Sequence, residues 1–200
     1  MIQSRRDFLK NAGKLAVAAS VASVASVIPM SAMAEAPAHP YAYTKLDPDA
    51  TANLAYESFS AMGGCCIGVA NGIISQLNPE FPVQMFANGA AGYTANSLCG
   101  CIGGAAAAFG LYCNAADSKT LLKELMAWYK ESTLPMFERD EPVVAQVVPG
   151  SVNCADSVGK LFQATDIREM SDPRRIHRCA LLTADVAKKA AELLNAHYGV

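Results

Sequence analysis

The sequence predicts an all-α protein, a compact single-domain bundle of about six helices that follows a cleaved signal peptide. Three observations carry that prediction. Apolar residues recur at helical spacing in nearly every segment beyond residue 47, period-two alternation is almost absent, and Pro, Gly, Asn and Asp fall where helices of ordinary length start and stop.

The amino end stands apart. Ser4-Arg5-Arg6-Asp7-Phe8-Leu9-Lys10 precedes an uncharged apolar run from Leu15 to Met30 and then Ala32-Met33-Ala34. That is the order of a basic region, an apolar stretch and a small-residue cleavage site. The arginine pair with Phe-Leu-Lys behind it is similar to the twin-arginine signal of bacterial exported proteins. Residues 1–34 are therefore expected to be removed and the product to be periplasmic, or at least extracytoplasmic. A membrane is met only during export, because the remainder has no apolar stretch long enough to span a bilayer; the longest, Cys101 to Cys113, is Gly and Ala with few large side chains.

Residues 35–47 carry Pro37, Pro40, Tyr41 and Tyr43 without periodicity and read as an extended leader, able to wrap a neighbour, into a cysteine-rich helical domain over 48–200. Asp47-Pro48-Asp49 is a cap-and-start signal for a helix to about Met62, with Leu54, Ala55, Phe59 and Met62 on one face. Gly63-Gly64 breaks it. Cys65-Cys66 opens a second helix bearing Val69, Ile73, Ile74 and Leu77, which Asn78-Pro79 stops. Residues 79–93 read as a connector. Its cluster Asn88-Gly89-Ala90-Ala91-Gly92 is not a phosphate loop, since no Gly-Lys-Ser/Thr follows and no strand precedes it.

The third helix is expected over about Thr94 to Leu111. Its small residues, Gly100, Gly103, Gly104 and four alanines, let neighbours approach closely, so it belongs at the centre. A more polar helix over Lys119 to Glu131 turns Leu121, Leu122, Leu125, Trp128 and Tyr129 inward, and Pro135, Pro142 and Pro149 punctuate the loop after it. Ser151 caps a fifth helix with Cys154, Val158 and Leu161 on one face. Ser171-Asp172-Pro173 starts the sixth, reaching about His197 with Ile176, Cys179, Thr183, Val186, Ala190 and Leu193 along a stripe.

The formal charge is −2, and loss of Arg5, Arg6, Lys10, Lys14 and Asp7 with the signal takes it to −5. Nucleic acid is not an expected partner of such a chain.

All seven cysteines, at 65, 66, 99, 101, 113, 154 and 179, lie beyond the signal. Disulfides are the ordinary expectation for an exported chain. The odd number weighs against them, as does the placement in helix-like apolar segments, and a domain of this size needs no staples. Export in the folded state offers another explanation: thiolates bound to metal in the reducing cytoplasm are protected afterwards. Helix N-termini stabilise thiolates through free N–H groups and the positive end of the dipole. Cys65, Cys66 and Cys154 fall in such first turns; Cys99, several residues into its helix, and Cys179, about two turns in, need burial beside a metal instead.

Successive helical residues turn by about 100°, so Cys99 and Cys101 cannot aim both sulfurs one way within a helix; one is a ligand and the other core. The same holds for Cys65 and Cys66. The candidates are thus Cys65, Cys66, Cys99, Cys101, Cys154 and Cys179, with Cys113 spare. Four separate regions offer one sulfur each, the number a [2Fe–2S] cluster or a tetrahedral zinc site requires.

In order and spacing, Gly63-Gly64-Cys65-Cys66-Ile67-Gly68-Val69, Leu98-Cys99-Gly100-Cys101-Ile102-Gly103-Gly104-Ala105, Gly150-Ser151-Val152-Asn153-Cys154 and the run from Arg178-Cys179 to Lys189 carry a resemblance spanning most of the mature chain. The chain resembles the redox-active proteins named for the pattern C…GCAxxG…C…C, and within them the split-Soret cytochromes c. The resemblance implies a helical electron-transfer protein, a homodimer, with a cysteine-bound iron–sulfur centre, probed by a redox partner protein. By position its metal ligands are Cys65 (or Cys66), Cys99, Cys154 and Cys179. Covalent haem c is not expected, because attachment needs CxxCH and the sequence has no such run.

His177 lies two residues before Cys179 on another face and reads as solvated in the basic cluster Arg174-Arg175-x-His177-Arg178, while His39 and His197 suggest no chemistry. The methionines at 62, 85, 126 and 136 read as core. No nucleophile elbow or HExxH is present. Three functions stay open: an iron–sulfur electron carrier rather than a stand-alone enzyme, a thiol–disulfide protein using a pair such as Cys99 and Cys101, and a zinc- or disulfide-stabilised interaction module.

Overall fold

The computed structural model describes residues 38–139 and 144–200; the expected signal, residues 35–37 and Pro142 lie outside the described residues. The fold is all-α. Six α-helices follow one another among the described residues: α1 (Pro48–Met62), α2 (Cys65–Leu77), α3 (Gly100–Tyr112), α4 (Ala115–Glu131), α5 (Cys154–Ala164) and α6 (Pro173–Tyr198). A 3-10 turn, Val83–Gly89, and an irregular wide turn, Gly92–Asn96, join α2 to α3.

Local chemistry explains most boundaries. Asp47 caps α1 by accepting from the Asp49 and Ala50 amides at 2.9 and 3.0 Å, Pro48 occupies the first turn, and Gly63 ends the helix at φ 91°. Asn114 caps α4 in the same way, through the Ala116 and Asp117 amides, and so starts it at Ala115 rather than at Lys119. Asn153 takes the cap position of α5, and Ser151 instead accepts from the Asn153 amide.

The 26-residue α6 is the spine, packing against α1, α2, α3 and α4. Thr183, Val186, Ala190 and Leu193 of its expected stripe are buried. Ile176 is not: it is 41 % exposed. On the opposite side, α3 lies against α2 closely enough that a Cβ on Gly104 would stand 2.4 Å from the Cys66 carbonyl oxygen. Around it Ile73, Ile74, Ile102, Phe109, Tyr112, Leu125, Tyr129, Leu182 and Leu194 are fully buried. Of the methionines read as core, Met62 and Met126 pack against it, but Met85 and Met136 are 65 % and 51 % exposed, both on irregular segments that have no helical face to bury.

The described part of the leader is extended, and it lies on its own chain. The Tyr41 amide donates to the Leu111 carbonyl, Leu46 is buried, and Asn195 of α6 holds the backbone of Leu46 from both sides, at 3.1 and 2.8 Å.

Candidate metal centre

The amino ends of α2, α3 and α5 and the first two turns of α6 converge on one cavity of about 470 Å³. Each brings a thiol. Cys65 is the first residue of α2, Cys99 caps α3 with Cys101 in its first turn, Cys154 is the first residue of α5, and Cys179 lies on α6; all five line the cavity. Three helix N-termini therefore present their positive dipole ends to the same group of sulfurs.

Cys99 and Cys154 are neighbours because their segments pair. Leu98 and Asn153 form an antiparallel bridge, the Cys99 amide donates to the Val152 carbonyl at 2.8 Å, and the Cys154 amide donates to the Ser97 carbonyl at 2.6 Å. Pairing of this kind needs extended backbone before each helix. That overturns the expected helix from Thr94: Tyr93, Thr94 and Asn96 have φ of 57°, 60° and 54°, outside any right-handed helix, and α3 starts only at Gly100. Cys99 is consequently a cap rather than a mid-helix residue. The expectation that Cys99 and Cys101 must face apart fails with it, since both reach the cavity.

Cys65 and Cys66 do part ways. Cys66 is turned from the cavity toward Gly89 and the Tyr93 hydroxyl, 3.9 Å from its sulfur. The two sulfurs diverge as successive helical residues do, by about 100°; Gly64 ahead of them has a φ of 139°, and a Cβ on it would stand 2.7 Å from that of Ala90. Cys113 is buried elsewhere, beside Tyr198 and Asp117. All seven cysteines are free.

The thiols are not electrostatically alike. Hydrogen bonding from the Cys101 thiol pulls the Cys65 and Cys99 thiols down, with burial opposing it; at Cys99 the Tyr129 hydroxyl and the Arg178 charge add to the pull. Cys101 itself is held well above its ordinary value by those same two bonds. Burial pushes Cys154 up to about 12 and raises Cys179, against the nearby charges of Arg178 and Arg175.

Arg178 is the residue the sequence reading missed. Grouped there with solvated charges, it is 1 % exposed and lines the cavity together with Arg175. Its Nη2 donates to Ser157 Oγ at 3.0 Å, which also accepts from the Tyr129 hydroxyl at 3.1 Å. Its Nε, the Arg175 Nε and the His177 Nε2 are buried without a hydrogen-bond partner among the described residues. His177 is accordingly not solvated but half-buried, edge-on to Tyr56. The helical position of Arg178, one turn from Arg174 and one residue from Cys179, was the only available signal, and it required knowing which face α6 buries.

The donor set fits a thiolate-bound anionic group. Five thiols and two guanidiniums face one space, and buried N–H groups left unpaired are costly unless something anionic or polar meets them. Among the described residues no three His, Cys, Asp or Glu side chains converge tightly enough to hold a single ion.

The family profile described as "Putative redox-active protein (C_GCAxxG_C_C)" matches residues 64–193. The split-Soret cytochrome c of Desulfovibrio desulfuricans is 31 % identical over 218 aligned positions, which cover 96 % of this chain and 77 % of that protein. A solved structure of the split-Soret cytochrome c from Desulfovibrio desulfuricans ATCC 27774, described as containing a novel iron centre, superposes with a TM-score of 0.75 at 29 % identity, covering 80 % of this chain and 72 % of that one.

Proposed function

This chain belongs to the C_GCAxxG_C_C family of redox-active proteins, and from that premise we propose that it is an exported electron-transfer protein whose Cys65, Cys99, Cys154 and Cys179 hold an iron–sulfur cluster of the [2Fe–2S] type. The observation that carries this reading is the delivery of sulfurs from four helices, with Cys101 beside Cys99 on α3, to a single cavity that also contains a buried arginine with no ion-pair partner among the described residues. The iron centre described for the structural relative supports it.

The bound cluster would supply one-electron chemistry near the surface of a small protein. The chain's own residues do the rest. Helix N-termini stabilise the thiolates of Cys65, Cys99 and Cys154, the Arg178 charge favours those of Cys99 and Cys179, Tyr129 and Ser157 hold the guanidinium in place, and Phe59, Val158 and Leu182 exclude water from one wall of the cavity. Export rests on the Arg5-Arg6 signal, and a homodimer with a separate redox partner protein is the assembly we propose.

Anaerobic purification followed by iron and sulfide analysis and a visible spectrum tests the reading. About two iron and two sulfide per chain are expected, and serine at Cys99, Cys154 or Cys179 is expected to abolish their retention. Colourless, iron-free protein from anaerobic preparation refutes it. The reach of Cys101 to both Cys65 and Cys99 favours one second reading, a thiol–disulfide couple; a colourless protein whose free-thiol titre falls by two on mild oxidation would establish that instead.

A further inference from the structure

Arg178 poses a problem of its own. A guanidinium that is 1 % exposed sits in the wall of the cysteine cavity, and among the described residues no carboxylate lies within ion-pair distance of it. Asp185, on the same helix, feels the Arg178 charge but lies beyond ion-pair distance of it, its two oxygens accepting from the Met136 and Phe137 amides. A buried charge without a counter-charge is strongly destabilising, and natural proteins keep one where it is paired in the working state. The Nη2 contact to Ser157, itself braced by Tyr129, fixes the guanidinium between α4, α5 and α6 with its Nε unpaired. A residue held for solvation alone would not be braced from two other helices.

We propose that Arg178 is the positioning residue that compensates the charge of the cysteine-held cluster and thereby sets its reduction potential. The inference rests on the iron–sulfur reading above. Four thiolates and the inorganic sulfides leave the loaded cavity net negative, and each electron that enters adds one more unit of negative charge without any bond made or broken. A fixed cation in a wall of low dielectric favours the reduced form over the oxidised one. Its partner Arg175, half-buried at the same cavity, is partly screened by solvent and contributes less. The three-helix bracing keeps the cation from swinging to solvent, as a long side chain otherwise would.

The test is an anaerobic optical redox titration of the full chain, with dithionite as electron donor, on wild type, Arg178→Gln and Arg178→Lys, each with its iron content measured. The midpoint potential is expected to move negative in Arg178→Gln, and by less in Arg178→Lys, which keeps the charge but loses the planar contact with Ser157. Should Arg178→Gln fail to fold or to hold iron, Arg178→Met takes its place, and an unchanged potential in whichever of these two uncharged variants holds iron overturns the proposal. So does loss of iron from a folded Arg178→Lys, because the cluster would then require the shape of arginine and not its charge. Wild-type protein without iron refutes the cluster reading itself and is thereby distinguished from failure of the Arg178 assignment.

Discussion

Gly104 shows how little space separates the two helices that carry Cys65 and Cys99. A methyl group there meets the Cys66 carbonyl and the Val69 side chain at 2.4 and 2.9 Å, and backbone cannot move aside as a flexible side chain does. Gly104→Ala is expected to lower the unfolding free energy by about 1–3 kcal/mol, measured by denaturant titration. Asp185 governs a pH response. Burial pushes its carboxyl up to about 6, against its two amide donors, Lys188 and Arg178, with Lys189 and Glu192 lining the same shallow depression. A carboxyl whose folded pKa exceeds its unfolded value binds more protons folded than unfolded between the two. Its contribution to stability is thus full below the unfolded value and is lost as pH rises through about 6. Relative to Asp185→Asn, wild type should lose stability between about pH 4 and 6 in thermal melts; parallel curves would exclude this role. Cys113 is remote from the cavity, and Cys113→Ser should leave iron content unchanged.

At the scale of elements, the segment between α2 and α3 does most to shape the site. Ala91, Tyr93, Thr94 and Asn96 all have positive φ, a conformation that side-chain-bearing residues adopt at a cost. The turn they make brings Leu98 beside Asn153 and the Ser97 carbonyl to the Cys154 amide, and that pairing carries Cys99 to Cys154. Thr94 is exposed and β-branched at φ 60° with no side-chain partner among the described hydrogen bonds. Thr94→Gly should therefore raise the unfolding free energy by about 1 kcal/mol, since glycine takes this conformation freely. A neutral or destabilising result would show that the turn is not strained. Helix starts set by a local cap were legible from sequence at Asp47 and Asp172, where Asp-Pro announces them. The start of α3 was not. Thr94 resembles a cap in sequence, whereas Cys99 has no side-chain cap bond and begins its helix only because the 152–154 segment holds it extended.

For the whole molecule, the buried charge links stability to occupancy. Without iron, Arg178 faces a cavity of thiols with its Nε unpaired, so replacing it by an apolar side chain of similar length relieves a desolvated charge. Iron-free Arg178→Met is expected to be more stable than iron-free wild type by roughly 1–2 kcal/mol in denaturant titration. Removing iron from wild type with a chelator should in turn lower its melting temperature, because a group bound only by the folded state stabilises it by mass action. Unchanged melting on chelation would show that the cavity is formed without help from its contents.

From the chain alone one could read six helices, the small-residue centre at Gly100–Ala108, the four regions that each hold a cysteine of interest and the family resemblance, because periodicity, caps and spacing are local properties of a sequence. Only the tertiary structure decided which sulfurs share a cavity. Which of Cys65 and Cys66 lines the cavity depends on the face α2 turns to it, Cys99 and Cys101 are brought together by the pairing of residues 97–99 with 152–154, and Arg178 is buried because α6 runs past α4 and α5 at that turn. None of these follows from neighbours along the chain. Each depends on the direction a backbone takes where it leaves a helix, and on which side of a helix another one covers.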